Sequence, residues 1–218
     1  MIPYMKYFAG IVFDCDGVLI PNSERANIAA AMKTFTDRGI VLTEEERELI
    51  PGRSSKTFIP LLLKGRGMPE SLAEELIPIN RSNYDAIWPA GAQCAPGLAK
   101  LLLGLRSANV ALAVSSMNRK VIIDRFIDSM LMIPNPFQVI VTVEDVHHHK
   151  PHPEPYQLAA TRLGIAPEML LGVDDMAMGV QSAKAAGLRC ATIANAFNHN
   201  QDLSEADYFL GSLNELLP

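Results

Sequence analysis

Two aspartates two positions apart, Asp14 and Asp16 in "IVFDCDGVLI" (residues 11–20), follow directly on an apolar run. Three further stretches place polar groups after an apolar run. "VALAV" leads to Ser115 and Ser116, "FQVIVTV" leads to a loop carrying Lys150 in "HHHKPHPEPY", and "MLLGV" leads to Asp174 and Asp175. Four carboxylates gathered in one place repel each other as bare anions. A hard divalent cation relieves that repulsion, and because the donors on offer are oxygens, Mg²⁺ is the natural choice. Mg²⁺ recruits phosphate oxygens as further ligands. Ser115 adds a hydroxyl donor, with Ser116 beside it, and the amides that follow can form an anion nest. Lys150 adds a fixed positive charge, so that metal, lysine and N–H donors would converge on a phosphoryl group. Of the two acids in "DCD", one can act as nucleophile and the other can protonate the leaving oxygen and later activate water.

Those residues need elements that bring them to one mouth. From Pro96 onward, strand and helix patterns alternate. "LAKLLLGLRSA" puts Leu98, Leu101, Leu102 and Leu105 on one helical face, and the continuous apolar runs at 110–114, 137–143, 169–173 and 190–193 read as strands buried on both faces. "EPYQLAATRLG" reads as a helix closed by Gly164, and "GVQSAKAAG" as one closed by Gly187. The alternation predicts an α/β fold, a Rossmann-like doubly wound parallel sheet. Ligands bind outside the carboxyl ends of the strands in such sheets. Residues 22–95 read differently, as a small helical insert. Ile28, Met32 and Phe35 share a stripe, Thr43 and Glu46 make a capping-box pattern, and Pro78 is expected to break or kink a third helical stretch. The expected domains are therefore a core of 1–21 plus 96–218 and an α-helical cap of 22–95.

Composition excludes several classes. With 49% hydrophobic and 20% charged residues, the chain can bury a real core. A net charge of −5 with no clustered Lys/Arg stripe argues against nucleic-acid partners. No apolar run approaches the roughly 20 residues that span a bilayer. Lys6 and "YFAGIVF" lack a following small-residue cleavage site and read as a strand rather than a leader. Three dispersed cysteines, Cys15, Cys94 and Cys190, suggest a reduced, cytoplasmic protein. Cys15 reads as a small buried side chain rather than a nucleophile. His147, His148, His149 and His152 read as an exposed loop rather than a transition-metal site, since they are adjacent instead of spaced and no cysteine accompanies them.

Over nearly its whole length the chain resembles the haloacid dehalogenase-like hydrolase superfamily, in the branch of β-phosphoglucomutase and its phosphatase relatives. "DCDGVL", "AVSSM", "KPHPEPYQLAATRLGIAPE" and "GVDDMAMGVQSAKAAG" are similar to that family's four motifs. The resemblance implies a Mg²⁺-dependent phosphatase of small phosphorylated metabolites, monomeric or homodimeric, working through an aspartyl-phosphate. It implies Asp14 as nucleophile and Asp16 as acid/base. Mg²⁺ would be held by the Asp14 side chain, the Asp16 backbone carbonyl and Asp175, with Asp174 nearby or water-bridged. Ser115 and Lys150 would hold the phosphoryl group, and Arg53 in "PGRSS" would contact substrate from a C1-type cap. A sugar phosphomutase is the alternative; the cap-side His of those mutases falls here at Ala26 or Asn27, which favours hydrolysis. A receiver-type phosphoacceptor domain would lack the insert and the second Asp, and a catalytically dead relative would not keep both acids. Departures from the family pattern are His149 before the lysine, "IPNSE" at the cap entry, and Asp174 where many relatives carry Glu.

Overall fold

The computed structural model describes residues 7–218; the first six residues of the expected core segment lie outside it. The chain divides into two compact units, one formed by the described residues up to Pro21 with Cys94–Pro218, the other by Asn22–Gln93. The helical unit thus ends at Gln93 rather than at 95. Ala95 is tied to the sheet unit by its N–H, which donates to the Leu19 carbonyl at 2.9 Å.

The sheet unit holds six strands: β1 (Gly10–Phe13), β2 (Ala111–Ser115), β3 (Val139–Val141), β4 (Leu170–Val173), β5 (Arg189–Ile193) and β6 (Tyr208–Leu210). All pair in parallel, in the order β3-β2-β1-β4-β5-β6. The chain first winds outward from β1 to β3, then returns to β4 on β1's other side. Helices occupy the connections between successive strands up to β5, and a switch point falls beside β1. β1 is apolar and buried throughout, as a central strand requires. β3 is shorter than the apolar run at 137–143 and only partly buried, because it is an edge strand. Sequence reading missed β6, where Leu210 alone of three residues is buried, too little for an apolar signal.

The helices α1 (Glu24–Thr36), α2 (Glu44–Glu48), α3 (Ser55–Gly65) and α4 (Leu72–Gly91) belong to the helical unit. In the sheet unit follow α5 (Leu98–Ser107), α6 (Lys120–Ser129), α7 (Glu154–Leu163) and α8 (Ala177–Ala185). α5 buries Leu98, Leu101, Leu102 and Leu105, the face its spacing predicts. Each such leucine contributes about 1.5–3 kcal/mol. Under the sheet, Val12, Ala113 and Val141 pack with Tyr156 and Ala159 of α7 and Ala183 of α8.

The helical unit departs from expectation twice. α1 buries Ala30, Ala31 and Phe35 and leaves Met32 exposed. Short alanine side chains let α1 pack closely on α4, so the buried stripe is set by small residues rather than by the largest ones. α4 runs through Pro78 without a break, with Ala73 and Leu76 buried before it and Tyr84 and Trp88 after it. Tertiary burial on one line overrides the local cost of proline. The capping box is present: Glu46 N–H donates to Thr43 Oγ1 at 3.3 Å, and Thr43 N–H donates to Glu46 Oε2 at 2.8 Å.

Candidate active site

Register brings the site together. Phe13 at the end of β1 is aligned with Val114 of β2 and with Val173 of β4. The next residue on each strand, Asp14, Ser115 and Asp174, therefore reaches the same level at the carboxyl edge of the sheet. One more ladder bond pins each outer position: Asp14 N–H donates to Val173 O at 2.8 Å, and Asp174 N–H donates to Ala191 O at 3.1 Å.

The turn after β1 is closed by Ile20 N–H donating to Cys15 O and Gly17 N–H donating to Ile20 O, both at 3.0 Å. Gly17 has φ +80°, and a Cβ there would lie 2.1 Å from Asp175 Oδ2. Only glycine allows both the backbone and the close approach of the Asp175 carboxylate. Gly179 plays a similar part in α8, since a Cβ there would overlap the Asp174 carboxylate at 1.9 Å.

Lys150 is the hub. Its buried Nζ donates to Asp14 Oδ1 at 2.7 Å, to Asp174 Oδ2 at 2.8 Å and to the Ser115 carbonyl at 3.0 Å. Tyr156, fully buried on α7, donates its hydroxyl to Asp174 Oδ2 at 2.7 Å, and Nζ stands 5.0 Å from its ring centre. Asp16 Oδ2 accepts from Asn118 Nδ2 at 2.7 Å. Asp175 Oδ2 accepts from Asn195 Nδ2 at 2.6 Å, and its carbonyl accepts from Asn198 Nδ2 at 2.6 Å. The Ser115 hydroxyl is buried with no hydrogen-bond partner among the described residues.

The electrostatics follow from burial. Burial pushes the Asp14 carboxyl well above its ordinary value; Lys150 pulls it back down, and the neighbouring Asp174 and Asp16 push it up again. Burial works against the Lys150 charge, yet Asp14 and Asp174 together hold its ammonium above the usual lysine range. The Tyr156 phenol is pushed up by burial, so it stays protonated and donates. Burial also raises the Cys15 thiol, in keeping with a packed side chain and not a thiolate. The donors facing this mouth are all oxygens, and Gly17 keeps the first acidic turn against Asp175. That donor set fits a hard divalent cation held by Asp14, Asp16 and Asp175.

Of the residues singled out in the sequence, Asp14, Asp16, Ser115, Lys150, Asp174 and Asp175 are brought to this edge. Both oxygens of Asp174 are engaged, Oδ2 by Lys150 and Tyr156 and Oδ1 by the Met176 N–H at 3.1 Å, so it anchors the lysine. Ser116 is spent on the backbone: its N–H donates to Val141 O at 2.9 Å and its Oγ accepts from Asn118 N–H at 3.0 Å. These two bonds shape the loop after β2. Arg53 lies in the helical unit, where its Nη1 donates to Leu49 O at 3.0 Å. Sequence reading missed Tyr156, Asn118, Asn195 and Asn198. Asn118 sits in "SSMN" just past the serines, and the asparagines of "ANAFNHN" follow β5, so the strand-end rule extended to β5 would have found the latter pair.

Known proteins resemble this chain in sequence and fold. Phosphoglycolate phosphatase of Salmonella paratyphi A is 29% identical over 235 residues, covering 98% of this chain and 93% of that protein. The enzyme of the same name from Escherichia coli O157:H7 is 29% identical, covering 96% and 91%. Among solved structures, CbbY from Rhodobacter sphaeroides in complex with phosphate superposes with a TM-score of 0.83 at 26% identity, covering 96% of each chain. β-Phosphoglucomutase from Clostridium difficile shares the fold, with a TM-score of 0.82 at 22% identity over 96% of this chain and 93% of that one. The sequence profile of haloacid dehalogenase-like hydrolases matches residues 11–193, which include the acidic turn, the serine strand end, the lysine loop and the second acidic pair, and the chain belongs to that family.

Proposed function

We propose that the protein is a Mg²⁺-dependent phosphatase of a small phosphorylated metabolite, acting through an aspartyl-phosphate on Asp14. The observation that carries this reading is the buried Lys150 Nζ bound to Asp14 and Asp174 beside a Ser115 hydroxyl that has no partner among the described residues. Lys150 and Ser115 can each give a hydrogen bond to a phosphoryl oxygen, and Lys150 holds Asp14 in place for attack. A Mg²⁺ held by Asp14, Asp16 and Asp175 supplies charge neutralisation for the phosphoryl oxygens. Asp14 Oδ attacks phosphorus, and the P–O bond to the ester oxygen breaks, leaving that oxygen on the substrate carbon. Asp16, oriented by Asn118, gives that oxygen a proton. Asp16 then takes a proton from water, the water oxygen attacks phosphorus, and the acyl-phosphate bond breaks to free phosphate and Asp14.

Asn195 and Asn198 hold Asp175, and Tyr156 with the Met176 amide holds Asp174; these residues position the acids and do not touch substrate. The helical unit would serve as the cap, with Arg53 a substrate contact. At the mutase-histidine position, Ala26 is buried and Asn27 is engaged with Glu24 Oε2 at 3.2 Å, so neither offers a group for a bisphosphate intermediate. That supports water as the second acceptor. The three cysteines are free thiols, in keeping with a reducing cytoplasm. Among the described residues no helix is long and apolar enough to cross a membrane.

The relatives' name makes 2-phosphoglycolate the first substrate to try. A panel of phosphorylated small acids and sugars with Mg²⁺, scored by released phosphate, tests the reading. Turnover should vanish with EDTA and return with Mg²⁺. Undiminished turnover in metal-free buffer, or formation of glucose 6-phosphate from β-glucose 1-phosphate in place of free phosphate, refutes it.

A further inference from the structure

The loop between β3 and α7 carries a second ionic cluster. The rings of His148 and His152 stack, with centroids 4.4 Å apart and planes 27° from parallel. His148 Nδ1 lies 2.8 Å from Glu154 Oε2, and one ligating atom from each of His148, His152 and Glu154 falls within 4.8 Å of the others. In the sequence these histidines read as an exposed loop, since most are adjacent and no cysteine accompanies them. The fold brings His148 and His152 together, because the loop turns back on itself, with His152 N–H donating to His149 O at 2.9 Å.

We propose that His148, His152 and Glu154 form a binding site for a divalent transition cation of zinc's class, separate from the acidic mouth of the sheet. Two imidazoles and a carboxylate are a donor set that Zn²⁺ accepts, with a water completing the tetrahedron. Mg²⁺ does not compete well for imidazole nitrogen, so the two sites select different ions. The scaffold is already held. Glu154 Oε1 accepts from the His147 N–H at 2.8 Å, and His152 O accepts from Ser182 Oγ of α8 at 2.7 Å. The His148 and His152 side chains are exposed, so an ion can enter without opening the core.

Zn²⁺ titration by calorimetry, in excess Mg²⁺ to fill the acidic site, tests this on the full chain. The wild type should take up one Zn²⁺ that the His148→Gln/His152→Gln double variant does not, with an affinity loss beyond the about 10–100-fold expected for losing an outer partner alone. Asp14→Asn should bind that Zn²⁺ as the wild type does. Co²⁺ should give visible absorption that the double variant lacks, while the variant's circular dichroism and Mg²⁺-dependent turnover stay unchanged. If the double variant misfolds, His152→Gln alone is the probe. Zn²⁺ uptake that survives removal of the histidines, or no uptake by the wild type in excess Mg²⁺, overturns the proposal.

Discussion

Lys150 and His148 stand two residues apart on one loop, yet their clusters obey different physics. In the first, the side chains of Lys150, Asp14 and Asp174 are only 5%, 11% and 2% exposed. In the second, His148 is 65% exposed and Glu154 25%. Charges out of water interact strongly and are costly to leave alone, whereas water screens the exposed set. Charged groups therefore form an enclosed, hydrogen-bonded frame on one side of the loop. On the other they give a labile surface cluster that a cation can enter. The difference in burial is set by the register of β1, β2 and β4, which encloses the first cluster and leaves the second at the surface.

The largest effect should come from the buried frame's reacting atom. Asp14→Asn should abolish phosphoryl transfer while leaving the circular dichroism unchanged, since no other group can carry the phosphoryl. Asp16→Asn should retain it but slow turnover by about 10²–10⁴-fold, the range for general acid–base catalysis. Quenched phosphoryl-enzyme mapped to any residue other than Asp14 would break the assignment.

Lys150→Met removes the counter-charge from two enclosed carboxylates. Breaking a buried pair costs about 3–5 kcal/mol, so urea unfolding should show a loss of that order. A loss under about 1 kcal/mol, typical of a surface pair, would mean the two clusters differ less than their burial indicates.

Much of this contrast was legible in the sequence, and the remainder was hidden for identifiable reasons. Apolar runs ending in Asp14, Ser115 and Asp174 announced both the strands and the mouth, because a central parallel strand must be apolar on both faces and its next residue must face the edge. β6 and the edge strand β3 carry little burial, so their signal was weak or misjudged in length. In the helical unit, the face of α1 and the continuity of α4 depend on which helix packs where, and no local pattern reports that. Tyr156 was hidden for a similar reason. A polar tip on an otherwise packed helix residue gains meaning only once α7 is laid beneath Asp174. The approach of His148, His152 and Glu154 was not legible, because linear spacing does not show a loop that turns back.

A smaller effect belongs to Tyr156→Phe. It removes one donor from a buried carboxylate that keeps Lys150 and the Met176 amide. Hydrogen bonds to charged groups contribute about 1.5–3 kcal/mol, and the remaining donors place this loss near the lower end. Turnover should fall too, since Asp174 anchors Lys150. Unchanged stability and unchanged turnover together would remove Tyr156 from the frame.

The smallest effect tests the exposed cluster through pH. Glu154 accepts from the His147 backbone N–H first, then from the His148 side chain and backbone N–H, and these hold its carboxyl down to a pKa of about 2. The folded value lies below the unfolded one, so the ionised carboxylate stabilises the fold above the unfolded pKa of about 4.3. That contribution drains away as the pH falls from there toward the folded value. Glu154→Gln cannot ionise and accepts less well, so it should lower the urea midpoint slightly at pH 6. At pH 3.5 the gap between variant and wild type should be visibly narrower, because the wild type has by then lost part of its advantage. Each comparison is made at one pH, so the other carboxylates, including the raised Asp14, titrate alike in both proteins. A gap that stays constant from pH 6 to pH 3.5 would show that Glu154 is not preferentially ionised in the fold, and the exposed cluster would then be a geometric neighbourhood without electrostatic coupling.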